Sequence, residues 1–104
     1  MYLNLQGDIM RVSNFLVNEF KQASQKAFGE CELILFGSRI DDEKKGGDFD
    51  IAVNKKMSTE DFKKAKTQFF KTLLLKDLDL PIDLVLYDSV NELLKKEIDK
   101  GVVL

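Results

Sequence analysis

Residues near the middle of the chain could bind phosphate and a divalent metal ion. Gly37 and Ser38 follow an apolar segment; after nine further residues (39–47), Asp48 and Asp50 open a second apolar segment. Alternate strand residues project to the same face, so the two aspartates are predicted to lie side by side. Adjacent carboxylates repel each other unless a cation lies between them, and Mg²⁺ prefers carboxylates together with substrate phosphates. The Gly-Ser turn offers N–H groups and a hydroxyl to those phosphates, which predicts chemistry on a nucleoside triphosphate.

A third carboxylate, Asp83, lies within the otherwise apolar segment 82–87. An ionised carboxylate is costly to bury, so two interpretations are open. Asp83 lies at the end of the sheet, solvated or paired with a lysine, or it lies beside Asp48 and Asp50 as a third metal ligand. Three carboxylates on neighbouring strands could hold two Mg²⁺ ions for in-line displacement at phosphorus. The Gly-Ser turn and the paired aspartates favour the second interpretation.

The basic residues near this candidate site have two possible roles. Arg39 could bind a phosphate group bidentately, or it could pair with the acidic residues 41–43. Four lysines flank the candidate site in the sequence: Lys44, Lys45, Lys55 and Lys56. We expect the lysines of the chain to lie mainly on solvated faces.

Composition narrows the possible chemistry. The net charge of −2 argues against a general nucleic-acid binder, which needs an excess of Lys and Arg. The chain has no His, and Cys31 is its one cysteine, so a zinc site and an internal disulfide are not expected. We interpret Cys31 as a core residue. Without histidine, the chemistry must use carboxylates, Lys, Arg and a metal ion.

Length and hydropathy predict a single domain in the cytoplasm. The 104 residues fit one domain with one modest core. No apolar run approaches the roughly 20 residues that span a bilayer, and the N-terminus does not read as a secretory signal. We therefore expect no membrane segment and a cytoplasmic location.

Hydrophobic periodicity predicts the order helix, strand, strand, helix, strand, helix, which indicates an α/β or α+β fold. Ser58 is predicted to cap the second helix, Ser89 with Glu92 to cap the last, and Pro81 to precede the third strand. Phenylalanines at helical spacing are expected mostly in the core: Phe15, Phe20, Phe62, Phe69 and Phe70. The predicted elements are helices 8–28, 58–76 and 89–100, strands 31–36, 48–53 and 82–87, a loop at 39–47 and an edge segment at 102–104.

The chain resembles the minimal nucleotidyltransferases of the DNA polymerase beta superfamily. The signature of that family is Gly-Ser, a spacer, Asp-x-Asp and a later acid on a following strand. Gly37-Ser38, Asp48 with Asp50, and Asp83 match it. The spacer of nine residues is one shorter than is usual in the family. The resemblance covers roughly residues 8–100.

The resemblance implies a single nucleotidyltransferase domain over 1–104, with a small mixed β-sheet flanked by helices. Asp48 and Asp50 would chelate Mg²⁺ and the triphosphate. Asp83 would hold the catalytic metal ion and help to activate the incoming hydroxyl group. The phosphate oxygens would be bound by Gly37 and Ser38, with Arg39 as a further candidate. ATP would be the donor, AMP the transferred group and pyrophosphate the second product.

Stand-alone members of this size resemble antitoxins that are paired with a small helical HEPN ribonuclease toxin and transfer AMP to a toxin tyrosine. The expected partner is therefore a protein, and a homo-oligomer is also possible. Two alternatives remain open. The chain could neutralise its partner by stoichiometric binding alone, or it could adenylylate a small molecule such as an aminoglycoside.

Overall fold

A computed structural model describes residues 2–5, 8–37 and 49–104. The helices and strands follow one another along the chain, and a short 3₁₀ turn at Tyr87–Ser89 follows β5. In order they are β1 (Tyr2–Leu5), β2 (Asp8–Ser13), α1 (Asn14–Phe28), β3 (Glu32–Phe36), β4 (Phe49–Asn54), α2 (Thr59–Leu74), β5 (Ile82–Leu86), α3 (Glu92–Asp99) and β6 (Val102–Val103).

The central feature is a four-stranded mixed sheet in the order β5-β4-β3-β6. Strand β3 is antiparallel to both β4 and β6, whereas β4 and β5 run parallel. Parallel neighbours need a long crossover connection, and α2 lies in that connection. A mixed sheet with helices confirms the predicted α/β (α+β) class.

Helices α1 and α2 cover one face of this sheet. Phe20 on α1 meets Phe49 on β4 edge-on, with ring centroids 5.5 Å apart. The two helices also contact each other, because Phe28 stacks on Phe62 and Lys76 pairs with Glu19 at 2.7 Å. The sheet side chains of this layer are Leu33, Leu35, Phe49, Ile51, Val53, Leu84 and Leu86. Phe49, Ile51 and Val53 thus form the buried face of β4, opposite Asp50.

Helix α3 covers the other face over a smaller area. Ile98 is fully buried there, and it packs with Ile34, Phe36 and Ala52. Val85 on β5 lies at the margin of the same cluster. The molecule therefore has three layers, and one end of this second face extends beyond the apolar cluster.

The predicted helix over 8–28 is wrong in its first part. Residues Asp8–Ser13 form strand β2, which pairs with β1 in an antiparallel hairpin, and α1 begins only at Asn14. Ser13 sets this boundary, since its extended backbone precedes the helix and its hydroxyl accepts the Leu16 N–H at 3.2 Å. β2 contains Ile and Val, which favour strands.

Two further expectations need correction. Ser89 does not cap α3; it lies in the 3₁₀ turn and donates to the Leu86 carbonyl, while Asn91 accepts the Leu94 N–H at 2.8 Å. Phe15 is not a core residue, because 60% of it is exposed.

The other boundaries agree with the prediction to within two residues. Ser58 caps α2 by accepting the Asp61 N–H at 3.1 Å, and β6 pairs with β3 at the edge of the sheet. Cys31 is half-buried against the core, with its sulfur 3.1 Å from the Ser24 hydroxyl. Among the described helices, none is long and apolar enough to cross a membrane.

Candidate active site

Two of the three predicted acids lie side by side at one end of the sheet. Asp50 is the register partner of Asp83 on the neighbouring parallel strand. Strands pair about 4.8 Å apart and paired residues share a face, so both side chains project from the face that α3 covers farther along. Asp50 is half-buried and Asp83 is exposed. The structure therefore brings together two carboxylates that lie 33 positions apart in the sequence.

Gly37 lies directly against one of these carboxylates. It follows β3, whose last residue, Phe36, pairs with Asp50. The φ angle of Gly37 is +78°, a left-handed conformation that favours glycine. A Cβ atom built on Gly37 would lie 3.3 Å from Cγ of Asp50 and closer still to its Oδ2. Only a residue without a side chain brings its backbone this close to Asp50.

The resulting arrangement is an open, acidic end of the sheet, which we call the carboxylate end and define as Gly37, Asp50 and Asp83. Two like charges about 4 Å apart repel by about 1 kcal/mol in water and by more where the site is partly desolvated. A cation between them would reverse that cost. Carboxylate oxygens are the ligands that Mg²⁺ prefers. The carboxylate end can therefore hold a hard divalent cation beside a backbone turn.

The remaining predicted site residues lie outside the described part of the chain. These residues are Ser38, Arg39 and Asp48, together with the loop lysines at 44 and 45. Among the described residues no three acids, cysteines or histidines come together. Their predicted contributions stay predictions.

The lysines after β4 do not flank the carboxylate end. Asp50 lies at the start of β4, whereas Lys55 and Lys56 follow its last residue, so the full length of the strand separates them. Lys55 donates to the Phe28 carbonyl at the end of α1. Lys55 and Lys56 therefore flank the candidate site in the sequence but lie at the opposite end of β4 from Asp50.

One surface feature was missed by the sequence analysis. Helix α2 carries an exposed apolar surface, which we call the α2 patch and define as Phe70, Leu74 and Leu75. Leu74 is 54% exposed, Leu75 is 78% exposed and Phe70 is half-buried. The signal was the run of three leucines at 73–75, since a helix cannot turn three successive residues to the core.

Comparison with known proteins leaves the family open: no protein-family model and no curated protein matches this chain.

Proposed function

We propose that this chain is a Mg²⁺-dependent nucleotidyltransferase that transfers AMP from ATP to a hydroxyl group, with a tyrosine of a partner toxin as the acceptor. The observation that carries the proposal is the alignment of Asp50 with Asp83 beside the Gly37 turn. This arrangement places two carboxylate ligands on one face of the sheet, next to a turn whose backbone approaches them closely. The resemblance in sequence supplies the reaction class, and the protein would act in the cytoplasm as an antitoxin.

The donor set of the carboxylate end suits Mg²⁺. Asp50 and Asp83 offer hard oxygen ligands on one face, and Asp48 would add a third by its spacing in the sequence. When bound, Mg²⁺ neutralises the charge of the triphosphate and of the oxygens that attack and leave phosphorus. We assign two such ions to the three acids.

Residues of the chain itself would bind the phosphate groups and accept the proton in the proposed reaction. The turn at Gly37 and Ser38, with Arg39, would hold phosphate oxygens. The acceptor oxygen forms a bond to the α-phosphorus while the bond to the bridging oxygen breaks, and pyrophosphate leaves. The proton of the acceptor hydroxyl goes to the Asp83 carboxylate, since the chain has no histidine and Asp83 is the exposed member of the pair.

Label transfer in host lysate tests this proposal. Purified protein is incubated with Mg²⁺ and either α-labelled or γ-labelled ATP. We expect only the α-label on a discrete protein band. Asp50→Asn and Asp83→Asn should each lower transfer by about 100-fold or more, because several kcal/mol of charge stabilisation are lost. Asp79→Asn, an exposed acid in the connection before β5, is the matched control and should transfer normally.

The label-transfer result is interpreted together with the thermal stability of the two Asp→Asn variants. Thermal melts should show both site variants folded, because Asn has nearly the size of Asp and keeps a side-chain oxygen that accepts hydrogen bonds. Transfer of the γ-label would indicate a phosphoryltransferase instead. Undiminished α-label transfer by the folded Asp50→Asn and Asp83→Asn variants would overturn the site.

A second candidate function is neutralisation of a partner by binding alone. The exposed α2 patch favours it, because contiguous apolar surface marks interaction sites. In this case Asp50→Asn would neutralise the partner as well as the wild type does. The third possibility, a small acceptor such as an aminoglycoside, predicts turnover when the antibiotic is added.

A further inference from the structure

We propose that the outer face of α2 is a docking surface for an acidic amphipathic helix of another protein. Leu74 and the C-cap residue Leu75 are mostly exposed, and with Phe70 they line an open groove of about 560 Å³. Thr67 and Lys71 form its border. Adjacent large apolar side chains in water are the usual mark of a protein interface.

Most charged residues along α2 are basic, although Asp61 and Asp77 lie directly before and after the basic segment. Residues 62–76 contain five lysines and no acidic residue, although the whole chain carries a net charge of −2. Lys76 pairs with Glu19 on α1. In the part of the chain that the structure describes, Lys63, Lys64 and Lys71 form no ion pair. The ammonium group of Lys71 at the border of the patch, and those of Lys63 and Lys64 about two turns nearer the start of α2, are therefore available to a partner.

Helical spacing combines the lysines and the patch into one stripe. Residues three or four apart share a helix face, which aligns Lys63, Thr67, Phe70, Lys71 and Leu74. In its first half Lys63 is the charged residue, and its second half combines the apolar Phe70 and Leu74 with Lys71. A matching occupant needs an apolar ridge beside acidic residues, and a helix provides both along one line.

This charge pattern selects among the possible occupants. A second copy centred on the patch would bring Lys71 of both chains together, and like charges oppose that contact. A nucleic acid would meet the lysines but would leave Leu74 and Leu75 in water. An acidic helix satisfies both halves of the stripe. The inference does not rest on the proposed catalytic function, because the stripe contains no residue of the carboxylate end.

Two synthetic helical peptides test the proposal. They share the same leucine spacing and differ only in carrying Glu or Lys at the flanking positions. Each is titrated into the ¹⁵N-labelled full chain. We expect the Glu peptide to bind with amide shifts centred on residues 67–75, and the Lys peptide to bind at least tenfold more weakly. Added salt should weaken binding of the Glu peptide.

Matched variants locate the contact. Leu75→Ser and Leu93→Ser each remove an exposed leucine, 78% and 76% exposed, from α2 and α3 respectively. We expect Leu75→Ser to weaken Glu-peptide binding at least tenfold and Leu93→Ser to leave it unchanged, with both variants melting as the wild type does. Lys71→Glu should weaken binding likewise, whereas Lys96→Glu on α3 should not.

Several outcomes would overturn the inference. These are equal binding of the two peptides, no binding of either, shifts centred outside α2, and equal losses in the two leucine variants. Self-association that Leu75→Ser abolishes would make a second copy the occupant. Tighter binding to phosphatidylserine vesicles than to the Glu peptide would make the occupant a membrane.

Discussion

The two ends of the central sheet differ in the polar side chains that they bring together: hydrogen-bonded pairs at one end, and adjacent carboxylates at the other. At the end where β4 finishes, three polar side chains make hydrogen bonds to other parts of the fold. Asn54 donates to Glu32 at 3.2 Å, and Tyr87 donates to Asp99 at 2.9 Å. Lys55 donates to the carbonyl at the end of α1.

The carboxylate end differs because it places like charges in register. Asp50 lies beside Asp83. Because Gly37 has no side chain, its backbone lies directly against Asp50. The hydrogen bonds at the far end, where β4 finishes, stabilise the fold, because they join β4 to β3, the residue after β4 to α1, and the turn after β5 to α3. At the carboxylate end, by contrast, two like charges lie next to each other, and their mutual repulsion by itself opposes folding. This difference is the reason to assign ligand binding to the carboxylate end.

Gly37→Ala should give the largest stability effect. A left-handed backbone costs a residue with a side chain about 1–2 kcal/mol, and the clash with Asp50 adds about 1 kcal/mol or more. We expect a loss of roughly 2–4 kcal/mol in the free energy of unfolding, measured by urea denaturation. In an Asp50→Ala background the clash is removed, so the loss should fall to the backbone part alone.

Gly29→Ala is the control for this comparison of Gly37→Ala in the wild-type and Asp50→Ala backgrounds. Gly29 also has a positive φ, +74°, but a Cβ atom there would meet only Lys55 Nζ, at an ordinary 3.5 Å. Its cost should therefore be the same with and without Asp50. If Gly37→Ala costs the same in both backgrounds, the close approach to Asp50 is wrong.

Lys55→Met should destabilise the protein by about 1–2 kcal/mol. The ammonium group donates to the Phe28 carbonyl at the C-terminus of α1, where a cation also interacts favourably with the helix dipole. Methionine keeps most of the apolar stem. The exposed neighbour Lys56 provides the control, since Lys56→Met should change the free energy of unfolding by less than about 0.5 kcal/mol. Equal effects of the two substitutions would show that the far end is not tied together by Lys55.

Asp99→Asn should give the smallest effect, a change in titration. The hydrogen bond to Asp99 raises the pKa of Tyr87 above its usual 10.0, with smaller contributions from desolvation and from nearby acids. Because the folded pKa is raised, the stability that this bond contributes is present below pH 10 and is lost as the pH rises through the folded pKa. Asp99→Asn should move the pKa of Tyr87 back toward 10.0.

Ultraviolet absorbance of the phenolate measures this shift. Tyr2→Phe leaves Tyr87 as the one tyrosine in the chain. Asp88→Asn is the comparison, because Asp88 makes the smallest contribution to the raised pKa. A larger shift from Asp88→Asn than from Asp99→Asn would contradict the hydrogen bond.

Local patterns in the sequence predicted most of the elements in the described region. The short apolar segments that form β3, β4 and β5 are typical of buried strands. Ser58 marks the start of α2 because its hydroxyl can accept a backbone N–H of the first turn. The N-terminal hairpin was missed because the spacing of Ile9, Val12 and Leu16 is that of one helix face, although Ile and Val themselves favour strands. Pairing with β1 decides between them, and no single segment carries that information.

The candidate site was predictable as a set of residues but not as a geometry. The acids and the glycine could be selected by type and spacing. The register of Asp50 against Asp83 could not, because tertiary packing of the α2 crossover determines how β5 aligns with β4. The exposure of Phe15 and Leu74 has a similar cause. Periodicity assigns a helix face to the core only when the neighbouring elements are known.

The parallel pairing of β4 with β5 also affects when the site forms during folding. Hairpin contacts close short loops, whereas bringing Asp50 to Asp83 closes a loop of 33 positions that includes a whole helix. A nascent chain could complete β3, β4 and α2 and still have only half of the carboxylate end. If the carboxylate end holds Mg²⁺ as we propose, that binding requires the complete sheet, and an intermediate without β5 would lack one of the two carboxylates.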